Sequence, residues 1–279
     1  EFLFLDSLKL NKRVTIVHSS YKSYINRSKF IKGRYKKLMT QRYSKLDKII
    51  CVSEESKKEF IELFGKNHNI ETIYNPLDHK DILNKANIKR PSLMTKSKFQ
   101  MVAVGSLIPV KGYDLLIKSI SLLKKERDDF QLHILGDGFL KTQLSKLIEE
   151  LDLSDVVILH GFVKNPYVWI KNSNLFVMSS LVEGLPTVLC ESLILGRPAL
   201  VPDVPGCREV IGYGDFGILC ERTENDFFLN ILNCINNPNK LKFYSNKSVE
   251  RSKTFSDKAS LKKYHKVFND NIKANETTK

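Results

Sequence analysis

Glu183 and Glu191 stand eight positions apart in the segment Glu183-Gly184-Leu185-Pro186-Thr187-Val188-Leu189-Cys190-Glu191. A Gly-x-Pro turn follows the first carboxylate, and an apolar stretch leads to the second. The strand-like run Leu175-Phe176-Val177-Met178-Ser179-Ser180 precedes them. The order is therefore strand, tight turn, helix. Glu183 falls in the turn and Glu191 about two helical turns later. A helix that starts at the end of a parallel strand presents unpaired N–H groups and the positive end of its dipole, which suits a phosphate. Carboxylates on either side accept hydrogen bonds from sugar hydroxyls. A nucleotide-sugar carries both groups. The plainer alternative is a solvated Glu before a turn and a second Glu on a helix surface.

A second loop, Gly105-Ser106-Leu107-Ile108-Pro109-Val110-Lys111-Gly112, follows another strand-like run. Gly105 lets backbone approach a ligand closely, and Lys111 can set its ammonium on a diphosphate just before a helix. The alternative is a surface lysine after a loop. Gly136-Asp137-Gly138 and Gly161-Phe162-Val163 end two further runs. A single Gly-x-Gly is weak evidence, and Phe162 reads equally as core. His18 ends the first visible strand, where a lone histidine is commonly packed or solvated.

These positions need a frame. Residues 14–17, 48–52 and 70–74 read as strands. A basic stretch follows the first, and a helix over 54–64, capped by Ser53, follows the second. Residues 80–98 are polar and read as a link. Beyond them, strands at 99–104, 130–135, 156–159, 175–179 and 198–201 alternate with helices at 114–125, 139–151 and 186–195, with Gly196 as the C-terminal cap of the last. A final helix is expected at 259–268. Strand–helix alternation implies parallel sheets, and ligands of such sheets sit beyond the carboxyl ends of the strands. All the positions above fall at such ends.

Composition sets outer bounds. At 279 residues, 42% apolar and 27% charged, the chain suits two α/β domains. No run of about 18 apolar residues exists to span a membrane. Five scattered cysteines, without a C-x-x-C pair, read as reduced packing residues rather than zinc ligands or a disulfide frame. The net charge of +14 is uneven: residues 27–48 hold nine basic residues against Asp47 alone. Ile31, Tyr35, Leu38, Met39, Arg42 and Leu46 recur near helical spacing. This predicts a basic amphipathic helix over 27–48, suited to an anionic membrane surface. An ordinary surface helix is the alternative. Nucleic-acid binding is disfavoured, because no zinc finger, RNA-recognition or helix-turn-helix pattern accompanies the charge.

Together these motifs resemble the retaining glycosyltransferases of family 4, which have the GT-B fold. The family's signature is Glu-x7-Glu, usually opening Glu-Gly-x-Pro. Its Gly-Arg-Leu-x-x-x-Lys-Gly loop matches residues 105–112, except that Ser106 replaces the arginine. Ser179, Ser180, Gly206, Glu209, Gly217 and Asn75-Pro76-Leu77-Asp78 match in order as well, so the resemblance runs from about residue 14 through nearly the whole chain.

The resemblance implies two Rossmann-like domains facing a cleft: an incomplete N-terminal acceptor-side domain over 1–88, a nucleotide-sugar domain over 89–255, and a C-terminal helix at 256–279 packing back on the first. It implies roles too. Glu183 and His18 would meet the donor sugar. Lys111 would neutralise the leaving diphosphate, beside Gly105 and Ser106. Gly184, Leu185, Pro186 and Thr187 would form the phosphate-binding helix start, through the N–H groups of Leu185 and Thr187. Glu191 would hold the ribose, Phe162 and Val163 the base, and Gly136 the neighbouring loop.

The implied reaction moves a sugar from UDP- or GDP-sugar to a lipid-linked or polysaccharide acceptor, in polysaccharide or lipopolysaccharide synthesis at the cytoplasmic face of the cell membrane. It has no cofactor, no metal and no general base, since the departing phosphate takes the acceptor's proton. Against this stand a truncated, non-catalytic nucleotide-sugar-binding remnant, motivated by Ser106 and the short first domain, and a sugar epimerase or phosphorylase on the same fold. The chain begins at Glu1, which reads as a truncation.

Overall fold

In a computed structural model the described residues are 13–18, 32–66 and 69–269. They form two compact units, one drawn from residues up to Pro76 and from Asp257 onward, the other spanning Leu77–Ser256.

In the first unit, β1 (Val14–Val17), β2 (Lys48–Cys51) and β3 (Ile70–Thr72) form a parallel sheet in the order β1-β2-β3. Between β1 and β2 lies α1 (Lys32–Tyr43), and between β2 and β3 lies α2 (Glu54–Phe64). Ser53 caps α2 by accepting a hydrogen bond from the Ser56 N–H at 3.0 Å. Met39 and Tyr43 of α1 are buried with Phe60 and Phe64 of α2, and the Tyr43 ring meets Phe60 edge-on at 4.7 Å between centroids. The helix is shorter than the charge pattern suggests. It ends at Tyr43, and Lys48 opens β2, where it pairs with Glu71 at 2.8 Å. Residues 27–31 of the expected basic helix lie outside the described residues. The last helix, α11 (Asp257–Asn269), packs Val267 and Tyr264 against Ile50 and Ile73 of this unit.

The second unit opens with α3 (His79–Ala86), capped by Asp78. This corrects the reading of 80–98 as a plain link. Ile82 and Ala86 are the buried residues of that helix, too few to register as a helical stripe in a polar stretch. Six parallel strands follow: β4 (Phe99–Val104), β5 (Phe130–Leu135), β6 (Val157–Leu159), β7 (Leu175–Val177), β8 (Ala199–Pro202) and β9 (Ile218–Cys220). Their spatial order is β6-β5-β4-β7-β8-β9. Numbered within the sheet this is 3-2-1-4-5-6, the doubly wound order in which the chain reverses direction between its first and fourth strands. The crossover helices are α4 (Tyr113–Glu126), α5 (Lys141–Glu150), α6 (Tyr167–Asn172), α7 (Thr187–Ile194) and α8 (Pro205–Val210), and α9 (Glu224–Asn236) and α10 (Pro238–Ser252) follow β9. Leu116, Ile117, Ile120 and Leu123 of α4 recur at helical spacing and pack on Leu132 and Ile134 of β5 and Phe227 and Ile231 of α9. All five cysteines are buried and unpaired, as packing residues are.

The other face of β5 is polar inside. His133 is fully buried. Gln100 donates its amide N–H groups to the carbonyls of Thr95, Lys98 and the Gln131 side chain, which turns its Oε1 toward His133 Nε2 at 2.7 Å. His133 is thereby held as the Nε2–H tautomer, and its Nδ1 accepts from His160 Nε2 at 2.9 Å. Burial first, then the charges of His160 and Arg90, push His133 down to about 4 from its usual 6.5. The sign follows. The unfolded chain binds a proton near pH 6.5 that the folded chain refuses until about pH 4, so stability is full above that window and falls as pH drops through it. A loss on the order of 3 kcal/mol between neutral pH and pH 4 is expected from this group. Urea unfolding of the chain across that range measures it, and a stability independent of pH there would refute the assignment.

Candidate functional site at the sheet's reversal point

The reversal point lies between β4 and β7, and two loops leave the carboxyl ends of these strands there. They are bound to each other. The Leu181 N–H donates to the Val110 carbonyl at 2.8 Å, and Ser179 Oγ donates to the Lys111 carbonyl at 2.9 Å. Gly112 sits in the left-handed region at φ 63°, and a Cβ there would lie 2.3 Å from the Ser179 carbonyl oxygen. A side chain at 112 would push the loops apart. Closed in this way, they bring Lys111 Nζ to 2.7 Å from Glu183 Oε1. The two side chains keep 24% and 12% of their surface in contact with solvent, so the pair is partly desolvated yet open to a ligand.

Around this pair the sequence-selected glycines serve the backbone. A Cβ on Gly136 would fall 1.9 Å from the Gly105 carbonyl oxygen, so the ends of β4 and β5 close only because Gly136 has no side chain. Gly136 also donates its N–H to the Gly161 carbonyl at 2.8 Å, which joins the ends of β5 and β6. Ser106 is exposed in the first loop. Gly206, at the start of α8, has its virtual Cβ 2.5 Å from the Glu183 carbonyl oxygen, and thus supports the turn from below.

Gly184, Leu185 and Pro186 are buried and lead into α7. Pro186 is its N-cap and has no side-chain acceptor to offer, so no side chain caps the helix start. The N–H groups of Leu189 and Cys190 return to the Pro186 carbonyl. Thr187 and Val188, the first two helical residues, bring their N–H groups and the positive dipole end to the site. Glu191 lies one turn on from Thr187, half-buried, and burial raises its carboxyl above the ordinary range. Tyr167 donates its hydroxyl toward Glu191 Oε1 at 3.4 Å.

Phe162 is 79% exposed, so it is not a core residue, and Val163 beside it is half-buried. His18 follows β1 in the first unit with its side chain exposed. Two contributors escaped the sequence reading. Tyr113 is buried, donates its hydroxyl to the Gly105 carbonyl at 3.1 Å, and is pushed well above its usual range by burial and then by the charge of Glu183. Tyr167 stands on a six-residue helix too short to show periodicity. The only clue to it was Pro166, a helix-start residue.

Known proteins resemble this chain. The model of the glycosyl transferases group 1 matches residues 84–251, and that of glycosyltransferase family 4 matches residues 4–81. The N-acetylgalactosamine-N,N'-diacetylbacillosaminyl-diphospho-undecaprenol 4-alpha-N-acetylgalactosaminyltransferase of Campylobacter jejuni is 34% identical over 78% of this chain and 59% of its own length. The poly(ribitol-phosphate) alpha-N-acetylglucosaminyltransferase of Staphylococcus aureus is 25% identical over 84% of this chain and 46% of its own. The chain thus spans about half the length of these curated relatives. The crystal structure of Anabaena HepE in complex with UDP matches with a TM-score of 0.81 at 18% identity, over 92% of this chain and 72% of that one. That likeness gives the GT-B-type α/β fold. With family models covering both units and a relative of this identity, the chain belongs to the group 1, family 4 glycosyltransferases.

Proposed function

We propose that this protein transfers a sugar, with retention of configuration, from a UDP- or GDP-linked donor to a lipid-linked or polysaccharide acceptor in cell-surface glycan synthesis. The observation that carries the reading is the Lys111–Glu183 pair at the reversal point of a 3-2-1-4-5-6 sheet, next to a helix start that no side chain caps. Lys111 and the N–H groups opening α7 receive the diphosphate. Glu183 accepts from the sugar's hydroxyls and Glu191 from the ribose, while exposed Phe162 and the backbone at Val163 meet the base. As the glycosidic bond breaks, negative charge gathers on the diphosphate oxygen, which takes the acceptor's proton. The protein supplies position and fixed positive charge, and the reading needs no metal or cofactor. The relatives' names support the acceptor class, since one acts on a diphospho-undecaprenol-linked sugar and another on a poly(ribitol-phosphate).

The test is calorimetric titration of the chain with UDP and GDP, followed by transfer assays with UDP- and GDP-sugar panels. Absence of binding by either nucleotide would refute the site. Ser106, standing where the family has arginine, favours a second reading as a binding module without turnover. Nucleotide binding with no transfer to any lipid-linked or glycan acceptor would select it.

Among the described residues no helix is long and apolar enough to cross a membrane. For membrane contact we propose α1, whose Lys36 and Lys37 are exposed beside Leu38. Binding to anionic vesicles should weaken by about 1 kcal/mol for each lysine removed. Sedimentation of the Lys36→Ala/Lys37→Ala variant with phosphatidylglycerol vesicles measures this, and unchanged binding would exclude α1 as the contact.

A further inference from the structure

At the opposite end of β4 from Lys111 lies a cavity of about 400 Å3 whose lining includes Arg90, Lys96, Lys98, Arg127 and Asp129. Asp129 is already taken. Arg127 grips it through two bonds of 2.6 Å and gives a third, at 2.8 Å, to Asn236. The other three cations have no such partner. Among the described residues no carboxylate lies within ion-pair reach of Arg90, Lys96 or Lys98, although Asp129 and Asp155 are near enough to feel the charge of Lys98. Nor is Arg90 a loose surface side chain. Its Nε donates to the Met94 carbonyl at 2.8 Å and one terminal nitrogen to the Thr95 carbonyl at 3.2 Å, so its guanidinium is set in place before any ligand arrives. Three unpaired positive charges around one polar hollow match a doubly or triply charged oxyanion better than a single carboxylate.

We propose that this cavity is a second anion site, which takes a phosphate-class oxyanion, either free or as a headgroup. It is separate from the nucleotide site. Phe99 opens β4 at the cavity and Gly105 follows β4 at the other end, and six residues of strand span about 20 Å. It also has a built-in reporter. Gln100 donates to the Thr95 and Lys98 carbonyls in this segment and bonds His133 on its other side. Arg90 lies close enough for its charge to add, after burial and His160, to what lowers His133. An anion in the cavity offsets that charge, so His133 takes up a proton more readily.

The experiment is a titration of the chain with inorganic pyrophosphate, followed through the imidazole NMR signals of His133 and His160. Their signals are expected to move, with the His133 titration displaced upward, and to move equally in Lys111→Ala, which removes the cation of the other site. In Lys96→Gln/Lys98→Gln the affinity should fall at least about tenfold. Unchanged affinity in that double variant, or no movement at about 10 mM pyrophosphate, overturns the proposal. Lys96 is exposed and Lys98 half-buried, and matching thermal melts establish that the variant folds. Capture on phosphatidylglycerol vesicles that falls in the same variant assigns the oxyanion to a lipid headgroup. Unchanged capture, with pyrophosphate affinity lost, assigns it to a soluble phosphate.

Discussion

Lys111→Ala should weaken UDP binding by roughly 10- to 100-fold, the equivalent of one charge-assisted bond of about 1.5–3 kcal/mol. Two effects add. The ammonium no longer meets the diphosphate, and Glu183, 2.7 Å from it in the wild type, is left as an unbalanced carboxylate beside an incoming anion. Glu183→Gln should act in the opposite sense on the nucleotide. It releases Lys111 from its internal partner and removes a negative charge, so UDP binds as well as before or better. Transfer, however, loses the negative charge beside the sugar's hydroxyls and the reacting centre, and should fall by about 100-fold or more. Calorimetry with UDP and turnover with a nucleotide-sugar separate these quantities. If Lys111→Ala binds UDP as tightly as wild type, the diphosphate is held elsewhere and the site assignment fails.

Gly136→Ala should be the most damaging single methyl group in the second unit. The added carbon would stand 1.9 Å from the Gly105 carbonyl oxygen and 2.8 Å from the Gly105 carbonyl carbon, both backbone atoms that cannot rotate away. The ends of β4 and β5 must part, and the Gly136–Gly161 bond at 2.8 Å goes with them. A destabilisation of about 3 kcal/mol is expected, lowering the melting temperature by roughly 6–12 °C for a domain of this size. Gly214→Ala is the control. It too lies at positive φ, 109°, but nothing stands within 4 Å of its added carbon, so it bears backbone strain alone, about 1–2 kcal/mol. Calorimetric melting of the two variants decides the matter. Equal effects would mean that the close approach of Gly105 and Gly136 is not what closes the loops.

The chemistry-bearing positions were legible because parallel sheets place ligands beyond strand ends and because glycines mark where backbones must touch. The strands of the second unit could be read as apolar runs bounded by Gly, Asp and Asn. Their spatial order could not, because β4 meets β7 through Met101–Leu175 and Val102–Phe176 pairings, which no local pattern encodes. For the same reason the Lys111–Glu183 contact was invisible in the sequence, though each residue was singled out. Short helices after Pro166 and Val204 escaped because six residues show less than two turns of periodicity. α3 is hidden in the sequence because its exposed face is nearly all polar, and the basic run overstates α1 because it continues past Tyr43 into β2. His133 read as one more strand residue. Its neutral tautomer is imposed by Gln100 and His160, partners 33 and 27 positions away.

The intramolecular ion pair also bears on how a catalytic cycle ends. A lysine that carries its own counter-ion swaps one anion for another when the donor docks, rather than leaving water empty-handed. On the proposed reading, the swap runs backward once the sugar has gone, with Glu183, 2.7 Å from Lys111 in the free protein, reclaiming the ammonium as the spent nucleotide departs. Such an exchange caps the grip on product and hastens its exit. UDP should therefore dissociate more slowly from Glu183→Gln than from wild type in stopped-flow displacement, and equal off-rates would show that the carboxylate plays no part in release.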